Sequence, residues 1–228
     1  MSESIRVALI GAKGRMGQTI LALAKSDPKI EIVAECDLGD SIDGAVSSSN
    51  VIIDFSQADS IDDVCRTAEK RRVALVIGTT GHSTAQKKTI AATAKVVPVV
   101  LASNFSVGVN VLFALARQTV ELLGNDFDVR IVETHHKMKK DAPSGTAKTL
   151  AEILKTAGKS GAEIPIESTR EGEVVGDHTV FFNGPGEGLE LTHRASSREI
   201  FARGALRAAE WVVGKSPDLY SMQDVLGL

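Results

Sequence analysis

The chain has 228 residues, 43% of them hydrophobic and only 4% aromatic, and its 26 basic and 29 acidic side chains leave a formal charge of −3. That length can bury one large core or two small ones, and the charge is too balanced for a nucleic-acid face, which needs clustered, uncompensated Lys and Arg. Two cysteines, Cys36 and Cys65, make neither a disulfide framework nor a zinc-ligand spacing.

No apolar run approaches the ~20 residues of a membrane span. The first apolar run, 7–10, ends at glycine rather than extending into a signal peptide. The expectation is a soluble cytoplasmic protein with no nucleic-acid or membrane partner.

Taken in order, residues 5–10 are apolar apart from Arg6 and stop at Gly11, which predicts a short strand buried on both faces. A helix is expected over 18–25, ending at Asp27-Pro28, then strands over 30–36 and 51–55. Helices over 60–70 and 84–94 alternate with strands over 73–77 and 96–102. Strands alternating with helices imply βαβ units and a parallel sheet. After Asn104 the pattern changes to a helix over 110–123, a strand over 128–134, a helix over 145–157, a hairpin over 174–194 bent at 184–188, and a helix over 198–213. Hairpin-joined strands predict an antiparallel or mixed sheet. The expected division is residues 1–105, completed by 205–228, and a second domain over 106–204.

Gly11-Ala12-Lys13-Gly14-Arg15-Met16-Gly17 lies between the first strand and the first helix. One glycine permits the tight turn, one lets backbone amides approach a pyrophosphate, and one packs helix against sheet. The helix start presents free N–H groups and a partial positive charge to the phosphates. Asp37, 20 residues beyond Gly17, can accept hydrogen bonds from ribose hydroxyls. The spacing is G-x-x-G-x-x-G rather than G-x-G-x-x-G, and a ligand-free turn is the alternative; the flanking strand, helix and acid favour a dinucleotide. A 2′-phosphate would meet a like charge at Asp37 and, with Leu38 following, no adjacent guanidinium. NADH is therefore preferred, with NADPH accepted through Lys13 and Arg15.

The stretch from Glu133 to Ala147 carries His135, His136 and Lys139, and Pro143-Ser144-Gly145-Thr146 closes a loop and opens a helix. Ser144 fits an N-cap, and the free amides at Gly145 and Thr146 form an anion site suited to a small dianion. No metal is expected, because adjacent histidines on a strand point to opposite faces and no acidic partner has ligand spacing. A solvated basic loop capping a helix is the rival reading. Asp54 and Asn104 are candidate site residues or turn formers, His178 and His193 are read as structural or interfacial, and Ser56, Ser103 and Ser106 lack a nucleophile elbow.

Several segments together resemble the 4-hydroxy-tetrahydrodipicolinate reductase (dihydrodipicolinate reductase) family over nearly the whole chain. They are 7–17, 76–81, 102–110, 133–147 with its His-His…Lys-x-Asp-Ala-Pro-Ser-Gly-Thr run, 191–198 and 201–205. The resemblance implies an α/β chain with an N-terminal Rossmann-like dinucleotide-binding domain and a C-terminal α+β domain with a mixed open sheet. It implies hydride transfer from NAD(P)H to a cyclic dicarboxylate imine in diaminopimelate and lysine biosynthesis. Gly11, Ala12, Lys13, Gly14, Arg15 and Met16 would hold the pyrophosphate and Asp37 the ribose. Gly78, Thr79, Thr80, Ala102, Ser103, Asn104 and Phe105 would hold the nicotinamide end. His135 would be the proton donor and Lys139 the second donor; His136, Ser144, Gly145 and Thr146 would bind substrate. A homotetramer joined through the second sheet is also implied.

Two departures stand out: Leu38 where the family often has a basic residue, and a short 38–50 segment. Near neutral pH, His135 is expected to supply a proton because imidazole ordinarily titrates at about 6.5. The alternatives are an amino- or imino-acid dehydrogenase of the aspartate dehydrogenase type, or a non-catalytic NAD(H)-sensing protein.

Overall fold

The computed structural model describes residues 4–37, 39–158 and 163–228. Contacts divide the chain into two compact units, residues up to Phe105 with Glu199–Leu228, and Ser106–Arg198.

The first unit runs β1 (Ile5–Ile10), α1 (Arg15–Ala24), β2 (Ile30–Cys36), a short α2 (Ile42–Ala45), β3 (Val51–Asp54), α3 (Ile61–Arg71), β4 (Ala74–Ile77), α4 (Thr84–Thr93) and β5 (Val99–Leu101). All six strands of its sheet are parallel, in the order β10-β5-β4-β3-β1-β2, the chain returning late to add β10 (Leu219–Tyr220). Successive side chains alternate faces, and both faces are apolar. Val7, Leu9, Val51, Ile53, Val76 and Val100 join one core; Ala8, Ile10, Ile52, Leu75, Ile77 and Val99 join the other. Burial on both sides is why these strands read as continuous hydrophobic runs. The sheet reverses its winding direction at β1, between β2 and β3. That reversal opens a crevice beyond the carboxyl ends of β1 and β3, where ligands of doubly wound sheets bind.

The returning helix, α7 (Glu199–Val212), covers the first core with Ala202, Ala205, Leu206, Ala208, Ala209 and Val212. Gly204 sits so close to the Phe105 carbonyl that a side chain there would collide with it. The sequence reading starts this return at 205; α7 makes it from Glu199.

In the second unit, α5 (Val107–Leu123) is followed by β6 (Asp128–His135), α6 (Gly145–Ala157), β7 (Ile166–Arg170), β8 (Gly176–Gly184) and β9 (Glu187–Ala195). Its sheet has the order β7-β6-β8-β9, with β6 and β7 parallel and the other pairs antiparallel. The β8–β9 hairpin is tighter than expected: Gly184 pairs with Glu187, leaving Pro185 and Gly186 as the loop, with Gly186 at φ +83°. Strands β7 and β10 lie outside the predicted elements, because pairing partners rather than local pattern make them; the final helix α8 (Met222–Leu226), capped by Ser221 and ended at Gly227, is a further element beyond the prediction.

One face of β6 carries Val129, Ile131, Glu133 and His135, all buried. Across the register, Val129 faces Phe182, Ile131 faces Val180 and Glu133 faces His178. The inward face is thus apolar at one end and polar at the other, and the polar end is where the chain turns toward α6. The span Val107–Asp126 is long and apolar enough to cross a membrane by those two criteria. Here its Val109, Leu112, Phe113, Ala116 and Val120 are buried in the core of this unit.

Candidate functional site

The crevice of the first unit is built by its glycines. Gly11 has φ +82°, and any side chain there would run into the Phe55 carbonyl; at Gly17 a side chain would strike the Gly11 carbonyl. Gly11 and Ala12 both donate their N–H groups to the Cys36 carbonyl, which fastens the turn to β2. Gly14 is the N-cap of α1 and makes no side-chain cap, so the helix start keeps donors for an anion. Met16 packs on the core, while Lys13 and Arg15 are exposed. The backbone N–H of Lys13 donates to Asp37 Oδ2 at 2.8 Å, and the Asp37 N–H donates to Asp40 Oδ2 at 2.8 Å.

A cavity of about 450 Å³ follows, lined by Gly11, Gly14, Asp37, Asp40, Phe55, Ser56, Gln57, Asp59 and Asp63 among others. Its charged lining is acidic throughout. Leu38, the other residue behind the expected NADH preference, lies outside the described residues.

Beyond the end of β4, Gly78 and Thr79 both donate N–H groups to the Asp54 carbonyl, and a side chain at Gly78 would overlap the Phe55 ring. A second cavity, of about 310 Å³, is lined by Thr79, Thr80, Gly81, His82, Lys87, Leu101, Ala102 and Ser103. Phe105 is buried, its ring 5.6 Å from that of Phe55. Asn104 stands between Ser103 and Phe105, in the segment joining β5 to α5. Asp54 is fully buried and bonded to Ser56 through both its N–H and its hydroxyl; burial pushes its carboxyl up. It braces the Phe55–Ser56 turn.

In the second unit the site grows from Glu133. Its Oε1 accepts from the Ser144 N–H at 3.0 Å and the Ser168 hydroxyl at 2.8 Å, with Arg170 Nη2 at 3.4 Å. Its Oε2 lies 3.6 Å from His135 Nδ1 and 3.6 Å from His178 Nε2. The two rings meet edge to face, centroids 5.1 Å apart. Ser144 caps α6 by accepting from the Ala147 N–H at 3.2 Å, and its Oγ is 3.3 Å from His178 Nε2. Ser144 is buried with its polar groups committed; a side chain at Gly145 would meet open space. At this helix start Gly145 is exposed and Thr146 is half-buried beside it.

Lys139 Nζ donates to both Asp141 carboxylate oxygens at 2.8 Å, and Arg170 anchors the same loop through the Lys139 and Asp141 carbonyls. His136, the residue after the end of β6, has Nε2 3.3 Å from Arg198 Nη2.

Burial would push the Glu133 carboxyl up, but contacts with His178, Ser144 and Ser168 outweigh it and hold the group well below the usual carboxylate range. His135 is pushed down to about 4, first by burial, then by His178; Glu133 opposes this, while Lys139 and Arg170 add to it. This corrects the expectation of an imidazole titrating near 6.5: with no ligand bound, His135 is neutral at pH 7.

The premise against a metal also needs correction. An acidic partner does exist: Glu133, His135 and His178 bring ligand-type atoms within 4.8 Å of one another. Cross-strand register creates that grouping, which residue spacing could not show. The same carboxylate already neutralises the Arg170 guanidinium and accepts from Ser144 and Ser168. The chemistry is that of a hydrogen-bonded ionic network. Glu133, Ser168 and Arg170 join this cluster without having been singled out in the sequence, and His178, expected to be structural or interfacial, lies in it; the one available signal was Glu133 standing two residues before His135, on the same strand face.

The model of the dihydrodipicolinate reductase N-terminus matches residues 5–105, and that of the C-terminus matches 108–226. A 4-hydroxy-tetrahydrodipicolinate reductase of Akkermansia muciniphila is 44% identical over 242 residues, covering 98% of each chain. One from Methanoculleus marisnigri is 43% identical over 252 residues, covering 98% of this chain and all of the other. Among solved structures, a dipicolinate-bound dihydrodipicolinate reductase from Paenisporosarcina sp. TG-14 matches with a TM-score of 0.84 at 24% identity, covering 97% of this chain and 98% of its own.

Proposed function

Since the chain belongs to the dihydrodipicolinate reductase family, whose members are NAD(P)H-dependent, we propose that it reduces 4-hydroxy-tetrahydrodipicolinate with NADH as the preferred donor, serving diaminopimelate and lysine biosynthesis in the cytoplasm. The observation that carries this reading is His135, buried at the polar end of the second core beside Glu133, whose other oxygen accepts from the Ser144 N–H at the start of α6.

Gly11 to Met16 hold the pyrophosphate, as the absence of room for any side chain at Gly11 and Gly17 supports. Asp37 takes the ribose, and Gly78 to Thr80 with Ala102 to Phe105 take the nicotinamide end. When bound, the reduced nicotinamide supplies a hydride. His136, Gly145 and Thr146 bind the substrate carboxylates; Ser144 shapes that turn from beneath. Lys139, already paired with Asp141, is drawn to a dianion and polarises the ring. His135 gives its proton to the atom that becomes negative as hydride arrives. A dianion offsets the Lys139 and Arg170 charges that disfavour the imidazolium, so substrate binding itself favours the protonated ring.

The acidic lining at Asp37, Asp40, Asp59 and Asp63 supports the preference for NADH over a 2′-phosphorylated cofactor. A homotetramer formed through the second sheet fits β9, an edge strand exposed along most of its length; native mass measurement tests it.

The deciding assay follows NADH oxidation with freshly generated 4-hydroxy-tetrahydrodipicolinate, then with oxaloacetate plus ammonia, then with neither. Turnover with the first alone is expected. Turnover only with the second would favour the amino-acid dehydrogenase reading, and none with either a nucleotide-sensing protein. NADPH giving an equal or higher kcat/KM would overturn the cofactor preference.

A further inference from the structure

Oε1 of Glu133 does all the structural work that its surroundings require, holding the Ser144 turn, Ser168 and Arg170. Its Oε2 is buried and, among the described residues, has no hydrogen-bond partner within ordinary reach, and His135 Nδ1 is buried in the same condition. A buried polar atom left unpaired is destabilising, and these two lie 3.6 Å apart. A carboxylate only accepts, so the pairing is favourable only if His135 carries its hydrogen on Nδ1. With hydrogen on Nε2 instead, two lone pairs would confront one another. His178 Nε2 lies on the other side of Oε2, also at 3.6 Å, but is nearer to the Ser144 hydroxyl at 3.3 Å.

The far edge of the His135 ring is treated differently. Nε2 lies beside Gly176, where a Cβ would come within 3.0 Å of it, so the glycine keeps that edge clear of any side chain.

We propose that Glu133 is a positioning residue that holds the resident hydrogen of His135 on Nδ1 and so dedicates Nε2 to exchanging the proton used in the reaction. This rests on the proposed reductase chemistry for its use, but not for its geometry. In the step itself, the Nε2–H bond breaks and the proton goes to the substrate atom that gains negative charge. The ring is left neutral with Nδ1–H directed at Glu133, and Nε2 is reprotonated from solvent. The charged and titratable groups facing His135 are Glu133 from its own strand, Arg170 from β7, His178 from β8 and Lys139 from the loop after β6. Among these groups Glu133 is the anion, and it is the one that stabilises the imidazolium.

The test begins with the tautomer, read by long-range 1H–15N NMR on wild-type protein labelled with 15N-histidine and assigned by His135→Gln. Nδ1–H is expected for His135; finding Nε2–H in the wild type overturns the proposal without any variant. In Glu133→Gln, Nε2–H should become substantially populated. There kcat should fall by about 10²-fold, within the range of general acid catalysis, with KM changed by less than about threefold. The protonation limb of the kcat profile should move to lower pH, and Glu133→Asp, which keeps the charge, should recover part of the loss. An unchanged pH profile with kcat lowered and KM raised together would mark Glu133 as structural only and would also overturn the proposal. If 4-hydroxy-tetrahydrodipicolinate is not reduced while the Nδ1–H tautomer is found and responds to Glu133→Gln, the reductase reading fails and the positioning role stands.

Discussion

Acidification tests the burial of His135 directly. In the folded protein its ring is pushed down to about 4 from an ordinary 6.5, so on lowering the pH the unfolded chain takes up this proton first. The stability the neutral buried ring contributes is complete above pH 6.5 and drains away as pH falls toward 4. At about pH 5, one and a half pH units below the ordinary value, the unfolded ring is almost fully protonated while the folded ring is still mostly neutral, a difference worth roughly 2 kcal/mol at ~1.4 kcal/mol per pH unit. Glu133 does not confuse the reading, since a depressed carboxylate loses its contribution only below the ordinary carboxylate range, nearer pH 4. Urea unfolding of wild type and His135→Gln at about pH 7.5 and about pH 5 isolates the effect, with wild type expected to lose roughly 2 kcal/mol more than the variant over that interval. His193, also lowered by burial, contributes to both proteins and cancels. Equal losses in the two proteins would show that His135 titrates normally and would refute the picture of a buried neutral imidazole.

His135→Gln should cut kcat by about 10²–10⁴-fold while leaving the NADH Kd unchanged, as stopped-flow turnover and fluorescence titration would show. Gly176→Ala places a methyl group 3.0 Å from His135 Nε2; a displacement of a few tenths of an ångström should lower kcat by roughly tenfold or more, and full activity would mean that the Nε2 edge has slack. Gly11→Ala combines positive φ with a collision against Phe55, so it should destabilise the first unit by at least about 2 kcal/mol and abolish NADH binding, measured by denaturation and calorimetry. Exhaustive chelation should leave kcat unchanged; a loss restored by one divalent metal would recast Glu133, His135 and His178 as its ligands.

Much of this molecule was written into local pattern. Continuous apolar runs such as 51–53 and 75–77 can only be strands buried on both faces, and the glycines between β1 and α1 have no other use that explains all three. Gly145 and Thr146 were readable as a helix start because Pro143 and Ser144 precede them. The tertiary structure decided what depends on pairing. Strands β7 and β10 are too short and too polar, or too near the end of the chain, to announce themselves, and they exist because a neighbouring strand supplies their hydrogen bonds. The proton affinity of His135 belongs to the same class. A histidine's own sequence sets only its ordinary value; the shift comes from lost water and from charges on β7, β8 and the following loop, groups up to 43 residues away along the chain that only the sheet register brings within a few ångströms.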